Sequence, residues 1–480
     1  MAGGLKMSGA RIALAAVAGL ALGAVATSAQ AADLGGNCCA DLEERIAELE
    51  ATTARKGNRK VSLTVSGQVN ESLMYYDAGD ESNIYQGTND TARSRFRFVG
   101  EARITDGWKA GYLMEFGVRS NRLNAVSQDV ANSRTNAIDL RHSAWWIDSK
   151  ELGRVWIGLT SQATDGVTEA TTANMNHFAR PSLSKFNGGF FLVTEGGVRT
   201  NRTWRDLQPQ DGITGDNVPG EGDRRNLVKY ETPTFAGFKA SAAWGEDDFW
   251  DIGLRYSNSD LAGFKIAAAA GYAEYTDDSS NGTVNTNMRG CAALDPGVGV
   301  TSTSDTDCST FGVSASLMHS DTGLFVTGAY GQRTDDLIGE RYAAAGVTGI
   351  AIDDEADFWS VQAGIERKFI ALGKTTLYGE YFESNTGAQI GDQDGDPRSF
   401  SELGVAAGVG FATASASSTE VNYWGVGINQ NIDAAAMDLY LAYRHHEGSA
   451  ELFETGNSAN RASVGFQDLD IVMGGAKINF

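Results

Sequence analysis

Between Arg93 and Phe98 the chain alternates, with arginine at positions 93, 95 and 97 and phenylalanine at 96 and 98. A β-strand sends successive side chains to opposite faces, so an extended segment of this kind has one basic and one aromatic face. Residues 108–118 repeat the pattern. Tyr112, Met114, Phe116 and Val118 share one face, and Lys109, Gly111 and Glu115 the other. The same period of two runs through 374–381, 421–428 and 438–443. Apolar outward and polar inward is the arrangement that lipid imposes on a strand-built wall. No segment offers the ~18 uninterrupted apolar residues of a helical span.

Composition agrees once the period is known. A soluble chain of 480 residues would hold several domains at ~100–200 residues each. Here 58 glycines, only 6 prolines and a mean hydropathy of -0.26 fit a wall with one polar face equally well. Acidic residues (61) outnumber basic ones (39), so nucleic acid is a poor partner because its phosphates would be repelled.

Strand-like segments begin near residues 61, 93, 108, 137, 153, 226, 236, 249, 263, 310, 323, 357, 374, 420, 436 and 469. That is an even number, sixteen. Short turns such as Asp106-Gly107 and Ala371-Leu372-Gly373 alternate with longer loops, although Gly245–Asp248 is short where a loop is due. Tight turns at one end and long loops at the other are the habit of outer-membrane barrels. All six prolines fall in loops or turns, where a missing amide hydrogen costs no ladder bond. The last segment places Val472, Ala476, Ile478 and Phe480 on one face, as a barrel-closing strand requires. The fold expected is all-β, a 16-stranded antiparallel transmembrane β-barrel over residues 61–480.

The first sixty residues carry two other signals. Lys6 and Arg11 precede an apolar stretch from Ile12 to Ala26, and Ser28-Ala29-Gln30-Ala31 follows as a small-residue cleavage site. This reads as a secretory signal peptide over 1–31, too short to span a bilayer. Removing it takes the net charge from -22 to -24. Cys39, Leu42, Ile46, Leu49 and Thr53 then recur at steps of three and four, an a/d seam of a short coiled coil. A homo-oligomer would bury that seam, and packing against the protein's own surface would do so too. Residues 55–60 form a basic hinge, so 32–60 is read as a periplasmic helix with its linker.

With these features the sequence resembles the alphaproteobacterial porin family across essentially the whole mature chain. The stretches that carry the resemblance are Cys39–Arg45, Ala54–Asn58, Val61–Gly67, Gly153–Thr160 and the terminal Phe480. The resemblance implies a trimeric outer-membrane diffusion channel whose third outer loop folds inward as a constriction. That loop is the longest connection, from about Thr160 to Arg225. Asp165 and Glu169 are its candidate acids, facing Arg93, Arg95, Arg97 and Arg103 of the second strand and Arg141 of the fourth. An arginine facing lipid near the midplane would cost ~2–4 kcal/mol, so Phe96 and Phe98 face lipid and the arginines the lumen. Opposed charges would set a transverse field across the pore. The plainer reading is that the arginines pair with lumen acids and hold neighbouring strands.

Other chemistry finds little support. Cys291 and Cys308 bracket a loop in an oxidising compartment and are expected to form a disulfide. No cofactor and no metal is expected. Adjacent His445 and His446 point to opposite faces of a strand and cannot share an ion. No nucleophile triad or phosphate-binding glycine loop is recognisable, so the chain is not read as an enzyme. The leading function is passive diffusion of small hydrophilic solutes. The alternatives are a substrate-specific channel or a tether reaching peptidoglycan through the N-terminal helix. The expected surroundings are lipid and lipopolysaccharide.

Overall fold

The computed structural model describes residues 60–134, 137–209, 217–245, 249–276, 307–344, 351–389, 407–411, 414–454 and 457–480. The expected signal peptide (1–31), the expected coiled-coil seam (Cys39, Leu42, Ile46, Leu49) and Cys291 lie outside the described residues. Its strands in chain order are β1 (Ser62–Asp77), β2 (Ser82–Thr88), β3 (Arg95–Thr105), β4 (Trp108–Val118), β5 (Ile138–Ser149), β6 (Gly153–Ser161), β7 (Phe191–Val193), β8 (Arg199–Thr203), β9 (Arg224–Glu231) and β10 (Phe238–Gly245). They continue as β11 (Phe249–Leu261), β12 (Phe264–Thr276), β13 (Asp307–His319), β14 (Leu324–Asp335), β15 (Glu355–Ile370), β16 (Gly373–Asn385), β17 (Ala414–Ile432), β18 (Met437–Glu454), β19 (Asn457–Gly465) and β20 (Leu469–Asn479).

Sixteen of these make a closed antiparallel wall: β1, β3–β6, β9–β18 and β20, each paired with its neighbours. Closure comes from β20 against β1, in register from Asp77↔Asp470 to Gln68↔Asn479. Gly67 and Phe480 then exchange a pair of backbone hydrogen bonds at 2.8 and 3.0 Å. Closure leaves the wall no open edge, as a lipid-embedded sheet needs. The other four strands belong to the loop end. β2 extends the ladder beside β1, β19 does so beside β18, and β7 and β8 form a hairpin inside the longest loop.

Side chains obey the alternation. Along β1, Leu63, Val65, Val69 and Leu73 are exposed on the outer face, whereas Asn70, Ser72, Met74 and Tyr76 are buried inside. Trp108, Trp145, Trp244, Trp250, Trp359 and Trp424 stand exposed on the outside, as amphipathic rings at a membrane interface do. Trp146 is buried instead, because it follows the outward Trp145, and the Arg154 guanidinium lies 4.2 Å from its ring centroid.

Strand starts fall within three residues of those expected, except β17, which begins at Ala414 rather than near 420. Its first residues, Ala-Ser-Ala-Ser-Ser, have little strand propensity of their own. Pairing with β18 and complete burial of Ala414 and Ala416 hold them extended. β10 and β11 pair antiparallel up to Gly245↔Phe249, with Trp244 opposite Trp250.

Candidate pore constriction

Between β6 and β9, residues 162–209 and 217–223 turn into the barrel. Lumen-facing hydroxyls and carboxylates of the wall hold its backbone. Asp251 on β11 accepts from the Thr164 amide at 2.7 Å, and Thr310 on β13 from the Gly220 amide at 2.6 Å. Ser314 and Ser316 on β13 accept from the amides of Ala170 (2.9 Å) and Thr172 (3.0 Å). Further round, the Asn174 side chain donates to Asp438 on β18 at 2.8 Å, and Gln362 on β15 donates to the Ala179 carbonyl at 3.0 Å. The loop therefore follows the inner wall from β11 to β18.

Glycines open the space for it. Gly253, Gly271, Gly312 and Gly331 are cross-strand neighbours on β11, β12, β13 and β14. A Cβ on Gly312 would stand 2.6 Å from the Gly220 carbonyl oxygen, and one on Gly271 2.8 Å from the Thr164 methyl. Gly312→Val suits a strand but not this groove. It is expected to displace the loop and raise single-channel conductance in planar bilayers while the folded barrel persists; unchanged conductance would contradict the packing described.

Beyond the glycines the loop presents an apolar underside to an aromatic stretch of wall. Phe178 stacks on Tyr440 at 4.9 Å and Phe190 packs on Tyr76 at 4.3 Å. Trp204 is buried beside His446, with ring centroids 6.0 Å apart. A short helix, Leu183–Asn187, is capped by the Ser182 hydroxyl accepting from the Lys185 amide at 3.2 Å. Arg444 on β18 anchors this turn. Its guanidinium donates to the carbonyls of Arg180 (2.8 Å) and Ser182 (3.1 Å) and to Glu380 on β16 (2.8 Å), between the rings of Phe186 and Tyr423.

The loop's apolar packing leaves the wall of β3, β4 and β5 facing its charged edge. Glu115 on β4 is fully buried and accepts from Nε of Arg97 at 2.7 Å and of Arg141 at 2.6 Å, with an Arg95 nitrogen at 3.5 Å. Arg141 and His142 are both buried, because a bulge opposite Glu115 and Phe116 turns two successive residues of β5 inward. On the loop side, Glu169 pairs with Arg180 at 2.6 Å and Lys185 at 3.5 Å. Burial alone would raise the Asp165 carboxyl, but Arg224, the Ser161 hydroxyl, Lys185 and Arg180 hold it below the usual carboxylate range. Glu221 behaves oppositely: burial, and then the charges of Glu169 and Asp165, push it up to about 8. It accepts from the amides of Gly166 and Thr168 and so ties the two ends of the loop together.

A family model described as Gram-negative porin matches residues 13–467, nearly the full length. The chain belongs to the Gram-negative porin family. No curated protein matches it. Among solved structures, the porin is similar to OprB of Pseudomonas putida (11% identity, TM-score 0.48, covering 92% of this chain and 97% of that one). It is also similar to OmpT of Vibrio cholerae (12%, 0.47, 88% and 99%) and to Salmonella typhi OmpF in a complex with daunomycin (13%, 0.46, 88% and 98%). Family membership over nearly the full length makes the chain an outer-membrane barrel that forms a porin channel.

Not all the residues expected at the constriction meet there. Arg95, Arg97 and Arg141 converge on Glu115. Arg93 precedes β3, where Asp139 pairs with it at 3.0 Å. Arg103 stands apart: it is exposed at the short-turn end and pairs with Asp106, because β3 carries it six residues beyond Arg97 along the wall. Glu169 does not oppose the arginine row as a free acid, since its loop supplies its own cations. Arg180, Lys185 and Arg224 were missed as site residues. Arg224 follows Asp223 at the start of β9, a change from loop to strand that could have flagged it. Cys308 is fully buried and disulfide-bonded at the loop end of β13.

Proposed function

We propose that this porin passes small hydrophilic solutes by passive diffusion through an eyelet that favours anions, although the whole protein is strongly acidic. The observation that carries this is unequal access to water at the site. Side-chain exposure is 41% for Arg97, 24% for Arg180 and 19% for Arg95, against 11% for Glu169 and 0% for Glu115, while Asp139 beside Arg93 reaches 28%. A mobile ion therefore meets guanidinium groups first, and the acids act mainly to hold them. In a narrow low-dielectric passage such charges raise the local anion concentration. Replacing Arg95 and Arg97 together by glutamine is expected to lower the chloride-to-potassium permeability ratio by on the order of twofold or more. Zero-current potentials in a salt gradient read that ratio, and an unchanged value in the double variant would overturn the assignment.

The finer parts of the reading rest on sequence. The a/d seam at Cys39, Leu42, Ile46 and Leu49 supports a homotrimer with a periplasmic helix over 32–60. Residues 1–31 are proposed as a cleaved leader. Cys291 is proposed as the partner of Cys308, which would fasten the loop between β12 and β13.

A further inference from the structure

We infer that the outer face of β18 and β20 binds one divalent transition-metal ion of the zinc type, through His445, Glu447 and Asp468. His445 and His446 do point to opposite faces, as adjacent strand residues must, with His446 fully buried inside the barrel. The pair that matters is His445 and Glu447, two residues apart on one face of β18. Asp468, just before β20, completes the group, and the three potential ligand atoms lie within 4.8 Å of one another.

The spacing suits a metal. The His445 Nε2 atom is 3.6 Å from a Glu447 oxygen and 3.7 Å from an Asp468 oxygen. Bonds of ~2.0–2.1 Å at tetrahedral angles put ligand atoms about 3.4 Å apart, so the two His445 spacings need to close by only a few tenths of an ångström. The exposed Glu447 and Asp468 side chains can rotate to bring their own oxygens, within 4.8 Å, together. The other ring nitrogen is already committed. Nδ1 lies 2.8 Å from Asp470, which also accepts from the Tyr443 hydroxyl at 2.7 Å. With a carboxylate at Nδ1, the ring is oriented so that Nε2 faces Glu447 and Asp468, where a metal can take the place of a proton. Carboxylate behind, imidazole between and metal in front is the usual order at zinc sites. Trp424 packs against His445 with ring centroids 5.7 Å apart and limits its rotation.

Charge points the same way. Three carboxylates surround one imidazole, and among the described residues no lysine or arginine pairs with any of them. A divalent cation would offset that excess. An imidazole with two carboxylates favours a first-row transition ion over calcium or magnesium, which take oxygen ligands alone. With three protein ligands on an exposed face, a fourth position stays open outward.

The test is calorimetric titration of the refolded full chain with zinc chloride, in a Cys38→Ser/Cys39→Ser background so that these two thiolates do not contribute. One saturable zinc ion per chain is expected. His445→Asn should abolish it, Glu447→Gln and Asp468→Asn should each weaken it at least about tenfold, and Asp470→Asn about 10–100-fold. Glu447 and Asp468 are exposed, so their variants keep the test valid if His445→Asn fails to fold. Cobalt in place of zinc should give the visible absorption of a tetrahedral site. No saturable zinc binding, equal binding in the Glu447→Gln and Asp468→Asn proteins, or displacement of zinc by equimolar magnesium would each overturn the inference.

Discussion

Glu115→Gln is expected to lower the unfolding free energy of the barrel by about 3 kcal/mol, at the lower end of the range for breaking a buried ion pair. Glu115 has no exposure, and three arginines from two neighbouring strands converge on its carboxylate. Glutamine keeps the shape and one acceptor oxygen but removes the charge. Guanidinium groups do not deprotonate in response, so the cost falls on desolvated like charges. Arg97 and Arg95 are partly exposed and can turn towards water, which relieves some of it. Arg141 is too deeply buried to follow. Denaturant unfolding of the refolded variant reads the effect. A change below about 0.5 kcal/mol would mean that the arginines are held by something other than this carboxylate.

Arg444→Met has the second large effect, and it falls on the loop more than on the wall. Arg444 is fully buried and donates to Glu380 as well as to two loop carbonyls. Methionine fills part of the volume between Phe186 and Tyr423 but leaves Glu380 uncompensated and both carbonyls without that donor. A loss of about 3–5 kcal/mol is expected, by the same argument. Channels of the variant should conduct more and fluctuate more, because the turn at Ser182–Asn187 loses its anchor. The double variant Arg444→Met/Glu380→Gln separates the two contributions. It should regain most of the stability, since no lone charge remains, while conductance stays high, since the carbonyls are still unserved. Recovery of both would mean that the ion pair matters only to the wall.

Period-two alternation explains why so much of the wall was legible. Arg95, Phe96, Arg97 and Phe98 declare their faces without any knowledge of neighbours, and lipid leaves no second solution. The site was legible only in part. Glu115 can be placed on the lumen face from its own strand, but its convergence with Arg141 depends on a bulge in β5 that the sequence of β5 does not announce. Arg180, Lys185 and Arg224 sit in or beside a loop whose path is set by the wall, through Asp251, Ser314 and the row of glycines. A glycine in a strand reads as a bend or a close contact; only the register shows that four of them align across β11–β14. The aromatic lining was hidden for a related reason. In Tyr378-Gly379-Glu380-Tyr381-Phe382 both faces carry rings, and which of them meet Phe178 follows from the loop.

In the proposed eyelet, exposed arginines and not the acids of the chain govern the ions at the narrow point. The zero-current potential of the refolded protein in a planar bilayer, under a tenfold potassium chloride gradient, tests it most directly. A potential of the sign that marks chloride as the more permeant ion is expected, diminished when Arg95 and Arg97 are replaced by glutamine. A potential of the opposite sign in the unaltered protein would contradict it, because Glu169 and the other acids would then be setting the field.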